Sequence, residues 1–129
     1  MKYMLDTDTA SYIIKNVPKV VAKATEHKGF WCISSVVYQE LMMGMLSTRS
    51  PRLEEGYEKF LRGVKVYDFG QGAATAAAEL HSQNRARGHN IGDHDNQIAG
   101  HAAHLDLTLV TNNLKHFKLL SGVHVESWA

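Results

Sequence analysis

The chain of 129 residues has one cysteine, two prolines and no apolar stretch approaching the length of a membrane span. A lone cysteine cannot form an internal disulfide. Cys32 lies in the apolar run Phe30-Trp31-Cys32-Ile33, where a buried, unreactive thiol is expected, and such usage fits a reducing cytoplasm. A span needs about 18 apolar residues, so none is expected here. Asp6 and Asp8 fall too early for the apolar core of a signal peptide. Charge of one sign is also missing. The formal net charge is +1, which excludes a polyanion-coating protein while leaving room for a local basic groove. No Gly/Ser/Pro linker, repeat or low-complexity run divides the chain, so one domain over residues 1–129 is expected. A chain of this length buries roughly two-thirds of its unfolded surface and needs no staples.

What is present is a hydrophobic fraction of 44% arranged in alternating short apolar runs and helical patterns. Lys2 to Leu5, Trp31 to Ser34, Val64 to Phe69, Thr108 to Thr111 and Val123 to Val125 read as strands. Helices are expected after Asp8 or Thr9 acting as a cap, from Pro18 to the His27-Lys28-Gly29 stop, and after Ser34 or Ser35. Further helices are expected over Pro51–Arg62, the alanine-rich Gly70–Gln83, Asp93–Asp106 and Leu114–Leu120. Asn84 to Gly92 reads as a polar loop carrying Arg85, Arg87 and His89. Strands alternating with helices give an α/β fold with a mostly parallel sheet of about four to five strands.

Three acids stand near strand carboxyl ends: Asp6 after the first strand, Glu40 in the helix after the second, and Asp95 in the helix before the fourth. Ligands of open α/β sheets gather at those ends. Converging carboxylates repel one another unless a cation neutralises them, and hard oxygen donors suit Mg²⁺ or Mn²⁺. Such a cation keeps open positions that suit phosphate substrates and can activate a bound water. A helix cap alone would also account for Asp6, a solvated helix face for Glu40, and a helix-start charge for Asp93 or Asp95. His101 and His104 have no matching pair at zinc spacing and read as surface or helix-packing residues. The methionines Met42, Met43 and Met45 suggest core or interface.

Four pieces, in order, carry a resemblance. They are Met4-Leu5-Asp6-Thr7; Ile33-Ser34-Ser35 with Glu40-Leu41 and Gly44; Ile91-Gly92 with Asp95-Asn96-Gln97-Ile98-Ala99-Gly100-His101-Ala102; and Leu109-Val110-Thr111-Asn112-Asn113 with Phe117. Together they resemble the PIN-domain ribonucleases, specifically the VapC toxins of bacterial toxin–antitoxin pairs. The resemblance implies a three-layer α/β/α PIN-like fold and a cytoplasmic Mg²⁺- or Mn²⁺-dependent endoribonuclease, often acting on tRNA. It implies a homodimer, silenced in a larger assembly by a VapB-like antitoxin through which alone operator DNA is bound. The family's metal-binding acids carry over onto Asp6, Glu40 and Asp95. A fourth acid of many PIN domains falls on Asn113, which carries no charge and can act only through water, with Asp93 as a partial substitute. Thr7, Asp8, Thr111 and Asn113 would support the ligands by hydrogen bonding. Arg85, Arg87, His89, Lys115 and His116 are candidates for the RNA backbone. Apolar residues on the helices carrying Tyr12, Ile13, Val36, Tyr38, Met42, Leu53, Tyr57 and Phe60 offer a groove for a partner's amphipathic helix.

Two other readings compete. Asp6-Thr7-Asp8-Thr9 also resembles the first motif of haloacid-dehalogenase-like phosphatases, with Asp6 as nucleophile. Its lysine and acidic motifs should follow the Thr-Asn strand, yet only 17 residues follow Asn112. The other is a PIN-like fold kept only for binding.

Overall fold

The computed structural model describes residues 1–118 and 120–129. Apolar residues without a polar alternation form the strands at its centre, as expected for a sheet covered on both faces. These strands are β1 (Tyr3–Leu5), β2 (Trp31–Ser34), β3 (Val66–Tyr67), β4 (Thr108–Val110) and β5 (Val125–Glu126). The helices are α1 (Thr7–Ile14), α2 (Pro18–Glu26), α3 (Ser35–Ser47), α4 (Pro51–Gly63), α5 (Gln71–Ala86), α6 (Asp93–His104) and α7 (Leu114–Phe117). The sheet runs β3-β2-β1-β4-β5 and every pairing is parallel, giving a three-layer α/β/α arrangement.

Met4, Leu5, Cys32, Ile33, Leu109 and Val110 are fully buried and form the middle of the core. The Cys32 thiol, among them, is pushed up to about 12 by burial, as an inert structural thiol should be. β1 lies between β2 and β4, in register as Tyr3 with Trp31 and Tyr3 with Thr108. From β1 the chain moves outward to β2 and β3, then returns to the other side of β1 as β4. That reversal opens a crevice at the carboxyl ends of β1 and β4, which is where such sheets bind ligands.

Several expected boundaries shift. α1 begins at Thr7, because Asp6 itself is the cap in place of Asp8 or Thr9. β3 is shorter than Val64–Phe69, since Val64 still ends α4. α5 continues to Ala86, so Asn84 and Arg85 are helical and Arg87 is its C-cap. α6 stops at His104, and Asp106 turns the chain with φ +55°. The last strand is Val125–Glu126, set by pairing with Leu109 and Val110. The expected helix from Leu114 to Leu120 closes at Phe117, and Leu119 lies outside the described residues. Met42 and Met45 are half-buried and Met43 is exposed, so this cluster is not core.

Candidate active site

Asp6 leaves the sheet with no loop between strand and helix. Its amide still continues the ladder, donating to the Val110 carbonyl at 3.0 Å. Its Oδ1 accepts the Thr9 amide at 2.8 Å, capping α1. The Thr9 hydroxyl also donates to Val110 O at 3.2 Å, fastening α1 to β4. Only 7% of Asp6 is exposed. Burial raises its pKa above the usual carboxylate range; the Thr111 and Thr9 groups beside it oppose the shift, and Asp8 adds slightly to it.

Glu40 lies on α3, which the Ser34 hydroxyl caps by accepting the Val36 amide. The Thr7 hydroxyl donates to Glu40 Oε2 at 2.9 Å and sits 3.1 Å from His94 Nε2. His94 Nε2 is in turn 2.7 Å from the same carboxylate oxygen. This triangle joins α1, α3 and α6 at one place. It seats Glu40 beside the neighbours of the other two acids, since Thr7 follows Asp6 and His94 precedes Asp95. Asp95 Oδ2 faces His116 Nε2 of α7 at 3.6 Å, too long for a hydrogen bond. The Glu40 and Asp95 side chains are 44% and 41% exposed against 7% for Asp6, so burial fixes Asp6 while Thr7 and His94 hold Glu40 at the surface.

The other candidates divide. Thr111 is fully buried between Asp6 and the chain beyond β4, and its Oγ1 accepts the Asn113 amide at 3.0 Å. Asn113 is exposed and precedes α7 without capping it through its side chain. Asp8 and Asp93 are exposed in the first turns of α1 and α6, and Gly92, not Asp93, is the N-cap of α6. Arg85, Arg87 and Lys115 are exposed and His89 is half-buried. Arg85 and His89 border one cleft beside the start of α6, while Lys115 lies next to His116. Sequence reasoning passed over His94, whose only signal was its position between Asp93 and Asp95. It also left open whether His101 was surface or packing. His101 is buried, with Nδ1 2.8 Å from Ser34 Oγ, so it ties α6 to the start of α3.

Among the described residues no three His, Cys, Asp or Glu side chains are close enough to share one metal ion. Among the described residues no lysine or arginine pairs with Asp6, Glu40 or Asp95; Glu40 faces His94 and Asp95 faces His116. The donor chemistry nonetheless fits a hard divalent cation. The set holds one buried carboxylate, whose charged form burial disfavours, and two partly exposed ones, and all three offer oxygen.

Comparison with known proteins decides what this geometry belongs to. The family model described as PIN domain matches residues 3–121. The chain belongs to the PIN-domain family. Within it, the chain is 34% identical over 131 residues to the tRNA(fMet)-specific endonuclease VapC of Shigella flexneri, covering 100% of this chain and 99% of that protein. It is 33% identical to a chain of DNA-bound VapBC from Salmonella typhimurium, with a TM-score of 0.93 and coverage of 100% and 99%. VapBC2 from Rickettsia felis, bound to a promoter DNA fragment, matches at 30% identity and a TM-score of 0.91 over the full length of both chains. The VapC branch of the PIN family is a branch of ribonucleases, and this chain is such a ribonuclease. PIN-domain ribonucleases work with a divalent metal. The phosphatase reading of Asp6-Thr7-Asp8-Thr9 ends here, because the match spans the chain and Asp8 is simply an exposed residue of α1.

Proposed function

We propose that the chain is the toxin of a toxin–antitoxin pair, an endoribonuclease that hydrolyses phosphodiesters of tRNA with Mg²⁺ or Mn²⁺. The observation that carries the site assignment is the Thr7–Glu40–His94 triangle beside buried Asp6. Asp6, Glu40 and Asp95 would hold the ion, with Asp93 and Asn113 acting through water. When bound, such a cation lowers the pKa of water and neutralises charge on the phosphate. The Thr9 amide and the Thr111 hydroxyl hold the Asp6 carboxylate in one orientation. Thr7 and His94 hold Glu40 close to its working position, as outer partners of metal ligands do. Asp8 adds negative charge at the rim. Arg85, Arg87, His89 and Lys115 draw the RNA backbone to the acids.

The tRNA substrate is supported by the name of the Shigella relative, and an antitoxin partner by the VapBC assemblies. We assign a VapB-like antitoxin, contact with operator DNA through it alone, a homodimer, a single functional unit over 1–129 and a reducing cytoplasm. A cleft of about 360 Å³ between α1, α2 and α4, lined by Ile13, Val21, Trp31 and Phe60, has the apolar character an antitoxin helix needs. No helix among the described residues is long and apolar enough to cross a membrane. Sequencing of RNA ends after incubation with the parent and with Asp6→Asn tests the reading. New 5′-phosphate ends at defined tRNA positions are expected from the parent alone. Equal cleavage by the variant would overturn the assignment of Asp6.

A further inference from the structure

A second cleft, of about 320 Å³, lies between the end of α5, the turn through Gly88 and His89, and the start of α6. Two buried amides line it. Asn84 is 3% exposed and Asn96 is 6% exposed. Asn96 Nδ2 donates to the Ala77 carbonyl at 2.8 Å, which identifies the remaining atom as the oxygen. Among the described residues that Oδ1 has no hydrogen-bond partner, and neither does Asn84 Nδ2. Buried polar groups are nearly always paired, so an unpaired donor and an unpaired acceptor bordering one cleft point to a ligand with the complementary pair. A nucleobase edge presents an acceptor next to a donor, the pattern that asparagine amides read. Exposed Arg85 borders the same cleft and suits a phosphate, and His89 offers a ring face for stacking. The volume is at the low end of small-ligand sites and suits one nucleotide, not a duplex.

The cleft adjoins the acids through α6. Asn96 follows Asp95 directly, and consecutive helical positions are turned by about 100°, so Asp95 faces the acid site while Asn96 faces α5. We propose that this cleft is a base-recognition subsite, taking one unstacked nucleobase of single-stranded RNA beside the scissile phosphodiester. The proposal rests on the ribonuclease reading and adds to it the determinant of sequence preference.

Two measurements on the full chain test it. In the first, the four ribonucleoside 5′-monophosphates are titrated into the protein and its backbone amides are followed by NMR. At least one should shift Gly88 and His89, and Asn84→Leu should weaken its binding tenfold or more. In the second, a randomised RNA is cleaved and the product ends are sequenced. Asn84→Leu should lose the parent's base preference at one position flanking the cut, the rate on preferred sequences falling toward that on disfavoured ones. Arg85→Ala should weaken cleavage uniformly and keep the preference. Asn84→Leu should melt at or above the parent, since it removes an unpaired amide. A melting point several degrees lower would show that the amide is bonded within the fold, and would overturn the proposal. So would mononucleotides that leave the cleft amides unmoved, an unchanged base preference, or a uniform loss of cleavage. Failure of the parent to cut RNA while a mononucleotide still shifts the cleft amides would overturn the ribonuclease reading and leave a nucleotide site.

Discussion

Asp6 does two things that the sequence presented as alternatives. It caps α1 through Oδ1, and it is the one acid of the three that burial holds in place. The two roles separate by substitution. Asparagine is as good a cap as aspartate, so Asp6→Asn should melt close to or above the parent while losing cleavage on the order of a thousandfold, the scale of several kcal/mol of charge stabilisation. Asp6→Ala should lose the cleavage and also about 1 kcal/mol of cap energy. Circular dichroism melts beside single-turnover cleavage of a tRNA check both. His101 bears on pH. Burial lowers its pKa from 6.5, with His104 adding and Asp68 opposing. The unfolded chain therefore takes up a proton at higher pH than the folded one. The stability that neutral His101 supplies is complete above about 6.5 and is lost as pH falls through its lower folded value. Urea midpoints between pH 7.5 and 5.5 should fall more steeply for the parent than for His101→Gln.

At the scale of elements, α5 and α6 touch backbone to backbone, which sets where Asp95 and Asn96 point. A Cβ at Gly100 would lie 2.6 Å from Ala77 Cα and 2.7 Å from its nitrogen, so Gly100→Ala must part the helices. A cost of about 1–3 kcal/mol is expected, as for overpacked cores. Gly72→Ala is the contrast. There the new methyl meets only the ring of His104, an exposed side chain that can swing away, and the helix gains up to about 1 kcal/mol of propensity. Denaturant unfolding of both variants measures the difference. Elements with local signals were legible in the sequence: Pro18 opening α2, the Ser34-Ser35 pair offering a cap for α3, of which Ser34 is the one used, and the apolar runs of β1, β2 and β4. The start of α1 was not, because Asp6, Asp8 and Thr9 are all good caps. Only the ladder bond from the Asp6 amide to Val110 selects among them. The end of α5 was missed because Asn84 and Arg85 read with the polar stretch that runs on to Gly92, while burial of Asn84 keeps the helix going.

Across the whole molecule, the strand order decides function. Placing β4 beside β1 brings Thr111 next to Asp6, and packing α3 against α6 lets His94 reach Glu40. A divalent ion recruited there should couple binding to folding. At a hundredfold excess over its dissociation constant it should add about 2.7 kcal/mol of stability. Millimolar Mg²⁺ or Mn²⁺ should therefore raise the melting point of the parent and not of Asp6→Asn. EDTA should reduce RNA cleavage to background until either ion is restored.

By itself the sequence determined the alternation of strands and helices, the absence of any apolar run fit for a membrane helix, and the acids Asp6, Glu40 and Asp95 as candidates. These depend on periodicity, capping and residue chemistry, which are local. Only the tertiary structure decided that Asp6 is buried while the Glu40 and Asp95 side chains stay partly exposed, that His94 shares Glu40 with Thr7, and that Asn84 and Asn96 border one cleft with unpaired amide atoms among the described residues. Burial and pairing depend on neighbours far apart in the chain, and no local pattern records them.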